Sequence, residues 1–113
     1  MRLGKAARLL RRGEFLAVQQ GGRRLVAGEL LVVARETGRG RPRIGITVST
    51  RIGGAVVRNR VRRWVREAFR AVAAELPPVD LVVIARTGAA TAGLEGARTA
   101  LRQARDRLRG GRP

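Results

Sequence analysis

The chain contains no cysteine, no histidine and no tyrosine, and Lys5 is its only lysine. Without cysteine or histidine, zinc fingers, iron–sulfur sites, thiol nucleophiles and Ser-His-Asp triads are excluded. Few side chains remain for general acid–base work near neutral pH. Acids are scarce too: eight carboxylates face 25 basic residues, and Asp80 and Asp106 are the only aspartates. A protein-borne two-metal nuclease site needs a cluster of carboxylates that this composition hardly supplies. No strongly apolar run exceeds the five residues from Leu81 to Ala85, far short of the ~18 that span a bilayer. Near the N-terminus, Arg8, Arg11 and Arg12 interrupt any apolar segment that could serve as a signal peptide. The expectation is a cytoplasmic protein with no membrane partner.

What the chain has in abundance is arginine. Of the 25 basic residues 24 are Arg, and the net charge is +17. Such an imbalance points to a polyanionic partner. The 113 residues, 44% of them hydrophobic, suffice for one core, with Phe15, Trp64 and Phe69 as the only aromatics. The expectation is a single domain over residues 1–113, with about 1–10 and 109–113 fraying.

Periodicity places the elements. Phe15 and Val18 at i, i+3, with Gly21-Gly22 as a stop, predict a short helix from Glu14 to Gln20. Leu25 to Arg35 reads as strand, broken near Gly28. Thr37 to Pro42 reads as a hairpin loop. Ile44, Ile46 and Val48 alternate with Gly45, Thr47 and Ser49, which predicts a strand over Arg43 to Thr50 with one face in the core. Val57, Val61, Trp64, Val65, Ala68, Phe69 and Val72 form one helical stripe, ended by Pro77-Pro78. Val79 to Arg86 reads as a strand buried on both faces. Leu94, Ala97, Leu101, Ala104 and Leu108 give a last helix from about Thr91 to Leu108. The order is α-β-β-β-α-β-α, an α/β (α+β) two-layer domain.

Charge concentrates on the second helix. Between Arg58 and Arg70 lie six arginines and a single acid, Glu67. Arg58, Arg62 and Arg66 form an i, i+4, i+8 row, with Asn59, Arg60 and Arg63 on the rest of the polar arc. Like charges at this spacing destabilise an isolated helix by a few tenths of a kcal/mol each. A polyanion relieves that repulsion, and the planar guanidinium suits phosphate and base alike. On the last helix, Arg98, Arg102, Arg105, Arg107 and Arg109 have Glu95 and Asp106 beside them, so a solvated face and RNA contact stand level. Gly53-Gly54 either cradles a phosphate or makes a tight turn; no Walker pattern follows it. Phe15, one aromatic on a short helix, is by default a core residue.

The run Ser49-Thr50-Arg51-Ile52-Gly53-Gly54-Ala55-Val56-Val57-Arg58-Asn59-Arg60-Val61-Arg62-Arg63-Trp64-Val65-Arg66-Glu67 closely resembles the signature of the bacterial ribonuclease P protein family. Phe15, Val18 and Gly21 resemble that family's first helix, and Asp80 to Arg86 its Asp-apolar-Ala-Arg strand. The resemblance implies a central four-stranded sheet with a left-handed β-α-β crossover, which is a rare arrangement. It implies a cytoplasmic subunit of a ribonucleoprotein endonuclease, one protein per catalytic RNA, that removes the 5′ leader of precursor tRNA. The chemistry then belongs to the RNA and its Mg²⁺, with no catalytic residue, metal ligand or cofactor on the protein alone. By position, the catalytic RNA falls to Arg51, Arg58, Asn59, Arg60, Arg62, Arg63 and Arg66, and the leader to Phe15, Thr47 and Ser49. Thr50 stands where the family has a basic residue, and Gln19 and Val33 stand where it usually has aromatics, so stacking on the leader is expected to be weaker. The alternatives are a structural RNA-binding protein of the ribosomal kind, or a DNA-binding module. The latter lacks helix-turn-helix spacing and a dimerising heptad.

Overall fold

The structure is a computed structural model that describes residues 11–37 and 40–110. Helix α1 spans Arg12–Gly21, and the Gly22 N–H closes it by donating to the Val18 carbonyl at 2.7 Å. Strands β1 (Arg23–Ala27) and β2 (Leu30–Glu36) form an antiparallel hairpin. Its two-residue turn begins at Gly28, whose φ of 55° lies in the left-handed region that a side chain disfavours. Strand β3 (Arg43–Thr47), helix α2 (Ala55–Val72), strand β4 (Val79–Ala85) and helix α3 (Ala89–Gly110) follow, with a 3₁₀ turn at Ala73–Glu75. Helix α3 is kinked at Gly93. The element order agrees with the periodicity. Residues 1–10 and 111–113, where fraying is expected, lie outside the described residues, whereas Arg109 and Gly110 belong to the last turn of α3.

The sheet order is β1-β2-β4-β3. Strand β4 runs antiparallel to β2 and parallel to β3, so β3-α2-β4 is a crossover between adjacent strands. Residues 37–42 therefore do not close a hairpin, because β4 lies between β2 and β3. A bond from the Thr37 N–H to the Pro78 carbonyl, at 3.2 Å, ties the start of that connection to the approach to β4. The central place of β4 explains its unbroken apolar run: both its edges are paired and all its residues but the half-buried Ile84 are buried.

Alternation along the strands sorts side chains to two faces. Leu30, Val32, Ile44, Leu81 and Val83 face α2 and α3, where they meet Val61, Val65 and Phe69 of α2 and Leu101 of α3 in the main core. The opposite face is a set of rows that run across the strands. Arg43, Asp80 and Arg35 form the first. Gly45, Val82, Val33 and Arg24 form the second. Thr47, Ile84, Leu31 and Val26 form the third. Helix α1 lies on this face, with Val18 buried against Val33 and Val82. Its short length leaves much of the third row uncovered.

Candidate RNA interface

The side of α1 that faces the third row holds an open groove of about 420 Å³, lined by Arg11, Arg12, Phe15, Leu16, Gln19 and Thr47. Phe15 is half-buried, and its ring lies directly over Gly45, where a Cβ would overlap it. Glycine at 45 thus makes room for the tip of the Phe15 ring against β3, while part of the ring's surface stays open. Leu31 and Ile84, both half-buried, continue the row that starts at Thr47. On the other side of α1 is a second groove, about 430 Å³, whose lining includes Glu14, Glu36 and Asp80 together with Arg35 and Arg43. The first groove is lined by cations without a carboxylate; the second is mixed.

What holds α1 at this angle is a three-element ion cluster. Arg43 on β3 donates from Nε and Nη2 to the two carboxylate oxygens of Asp80 on β4, at 2.9 and 2.8 Å, and from Nη1 to Glu14 Oε2 on α1, at 2.8 Å. The Arg11 N–H donates to the other Glu14 oxygen at 3.3 Å, so the same carboxylate closes the helix N-terminus. The Asp80 hydrogen bond is the main reason the Arg43 guanidinium is held above its ordinary pKa, against the opposing effect of burial. Pattern reading singled out neither Glu14 nor Arg43. A lone charge at the head of a strand carries no signal until the strand beside it is known.

On the other face of the molecule, α2 packs its apolar stripe inward and turns its basic arc to solvent. Asn59, Arg60 and Arg63 are exposed and form the crest of the helix. Arg58, Arg62 and Arg66 are half-buried at the border of the packed face, not directed away from it as a helical row outside the apolar stripe suggests. Arg58 Nε donates to the Gly53 carbonyl at 3.1 Å, and Arg62 Nη1 to Asn59 Oδ1 at 3.0 Å. Arg51 is exposed in the turn that leads into α2, where the Ile52 N–H bonds the Ser49 carbonyl at 3.1 Å. Gly54 caps α2 with no side-chain bond to the first amides.

Two expected groove positions fall elsewhere. Strand β3 ends at Thr47, so Ser49 is an exposed turn residue near Arg51, whereas Thr47 does line the groove beside Phe15. Val33 is fully buried beneath α1 and is no stacking position. Gln19 does line the groove. On α3, Arg98 pairs with Glu95, Arg105 with Glu75 and Asp106, and Arg107 bonds the Val26 carbonyl. These arginines thus already have partners within the chain.

The family model for ribonuclease P matches residues 3–109. The chain belongs to the ribonuclease P protein family. The ribonuclease P protein component of Gluconacetobacter diazotrophicus is 47% identical over 87 residues, 74% of this chain and 75% of that protein. That of Citrifermentans bemidjiense is 37% identical over 105 residues, 93% of this chain and 90% of its own length. Among solved structures, the ribonuclease P protein of Thermotoga maritima superposes with a TM-score of 0.80 at 32% identity, covering 89% of this chain and 96% of that one. The Staphylococcus aureus protein gives 0.80 at 27% identity, covering 88% and 92%. The ribonuclease P family comprises protein components of an endoribonuclease of tRNA 5′ maturation. Among the described residues of this member, no group of three acids is placed to hold a metal ion. No helix of the described residues is long and apolar enough to cross a membrane.

Proposed function

We propose that this protein is the small basic subunit of ribonuclease P in the cytoplasm, bound one to one with its catalytic RNA. Helix α2 and the turn before it, with Arg51, Arg58, Asn59, Arg60, Arg62, Arg63 and Arg66, face that RNA. The groove beside α1 receives the single-stranded 5′ leader of precursor tRNA on Phe15 and Thr47, whereas Ser49 lies outside it in the turn near Arg51. Removal of the leader is hydrolysis by the RNA and its Mg²⁺; the protein binds and orients. The observation that carries this reading is the arc of α2 from Arg58 to Arg66, which holds five arginines and no carboxylate. Such a surface is the footprint of a phosphate backbone. The cation-lined groove supports the second half, because a single strand needs charge along its backbone and an aromatic face for its bases.

Phe15→Leu tests the groove. Much of the apolar burial remains, so stability should fall by no more than about 1–1.5 kcal/mol. Binding of precursor tRNA with a leader of several nucleotides should weaken by roughly 1–3 kcal/mol, toward the lower end because Gln19 adds no second ring. Binding of mature tRNA, which has no leader, should hardly change. An equal loss for both substrates would return Phe15 to a purely structural role.

A further inference from the structure

Val56 is the most exposed of the large hydrophobic residues among those described, at 70%. It stands in the first turn of α2, and helical spacing sets Asn59, Arg60 and Arg63 along the same line, three, four and seven residues on. All of these are exposed, as is Ala55 before it. A lone exposed apolar residue is ordinary on a protein surface. The setting of this one is not. A β-branched side chain is a poor helix former on a solvated turn, and at this exposure it gains little packing within the chain. The other two exposed large apolar residues border the groove side of the sheet: Leu16, on α1, lines the groove and Val26 continues the third row. Val56 stands apart from them, amid guanidinium groups. No acid occupies the first turn of α2, and the next acid along the helix is Glu67.

The occupant of such a patch must answer both its parts. Phosphates answer the arginines, and the face of a base or a ribose answers the two methyl groups. A continuous RNA duplex offers no such face, since its bases are stacked and its major groove is too narrow for side chains. An unpaired nucleotide in a bulge or junction does offer one. We propose that Val56 is an RNA-binding residue that packs on an unpaired nucleotide of the catalytic RNA, with Arg60 and Arg63 on the neighbouring phosphates. The inference rests on the reading of α2 as the RNA-facing helix and adds the structure of the RNA it meets.

The test is binding of the full chain to the catalytic RNA across a salt series, for the wild type, Val56→Thr and Arg60→Ala. Threonine keeps the β-branched shape and replaces one methyl with a hydroxyl, so circular dichroism should be unchanged. Affinity should fall three- to tenfold at every salt concentration, with the slope of log K against log salt unaltered, since an apolar contact releases no counterion. Arg60→Ala should instead flatten that slope by about 0.9. Wild-type affinity for Val56→Thr beside a weakened Arg60→Ala would overturn the Val56 contact and leave α2 as the RNA-facing helix. Wild-type affinity for both would overturn that reading as well. A flattened slope or lost helicity in Val56→Thr would show an indirect effect and refute direct packing. An equal loss on a fully paired RNA would refute the unpaired nucleotide.

Discussion

Arg43 reaches Asp80 on the neighbouring strand and Glu14 on α1, so one guanidinium joins three elements that lie far apart in the chain. The Arg43 and Asp80 side chains are 13% and 7% exposed, and Glu14 is 26% exposed. Removing Asp80 leaves a nearly buried cation with Glu14 as its remaining carboxylate; Asp80→Ala should cost about 2–3 kcal/mol, below the range for a fully buried pair because Glu14 and water still reach Arg43. Glu14→Gln keeps an amide in place and sits closer to solvent, so its loss should be under about 1 kcal/mol. Urea unfolding of the two variants checks the order, and equal effects would contradict it. The raised pKa of Arg43 fixes the sign of its pH dependence. A folded value above the unfolded one gives stability that is fully present below the unfolded pKa and lost as pH rises through the folded value. Both lie above the working range, so Arg43 itself adds no pH dependence near neutrality. The consequence is a groove held open by a charge that does not titrate.

Helix α2 shows how far local pattern reaches. Its stripe of Val57, Val61, Trp64, Val65, Ala68, Phe69 and Val72 is long and strictly periodic, and the helix forms where the pattern puts it. The arginine row was legible as a surface, but its depth was not. Arg58 falls in the same angular sector of the helix as Val65 and Phe69, two and three turns further on, so it lies at the packed border and is half-buried, whereas Arg60 is exposed. Arg58→Ala should therefore remove the bond to the Gly53 carbonyl and lower stability by about 1 kcal/mol. Arg60→Ala should change stability by less than about 0.5 kcal/mol and act on RNA binding alone. Thermal melts paired with binding assays separate the two, and equal stability losses would contradict the assignment. Strand ends were less legible. Alternation continues through Val48 and Ser49, yet pairing with β4 stops at Thr47 opposite Ile84, one residue before β4 itself ends. The same limit applied to Val33: alternation gave its strand, but only the position of α1 shows that it is covered.

At the scale of the molecule, the two faces of the sheet divide the work. One is sealed by α2 and α3, and α2 in turn shows its arginines to solvent; the other is part-covered by α1 and left open as a groove. The number of elements and their order were legible from periodicity, but the sheet order was not. A hairpin between β2 and β3 is the local solution, and the chain instead inserts β4 between them, a long-range pairing that no short window contains. The family was legible from one motif, and the composition, without histidine or cysteine and with 25 bases against eight acids, suits binding a polyanion better than hydrolysing one. Cleavage of precursor tRNA in a Mg²⁺ titration tests that division of labour, with the protein alone, the catalytic RNA alone and the two together. The protein alone should cleave nothing at any Mg²⁺ concentration, and the pair should cleave at lower Mg²⁺ than the RNA needs by itself, because fixed guanidinium charges replace part of the screening that metal ions supply. Cleavage by RNA-free protein, or a Mg²⁺ requirement that the protein leaves unchanged, would contradict it.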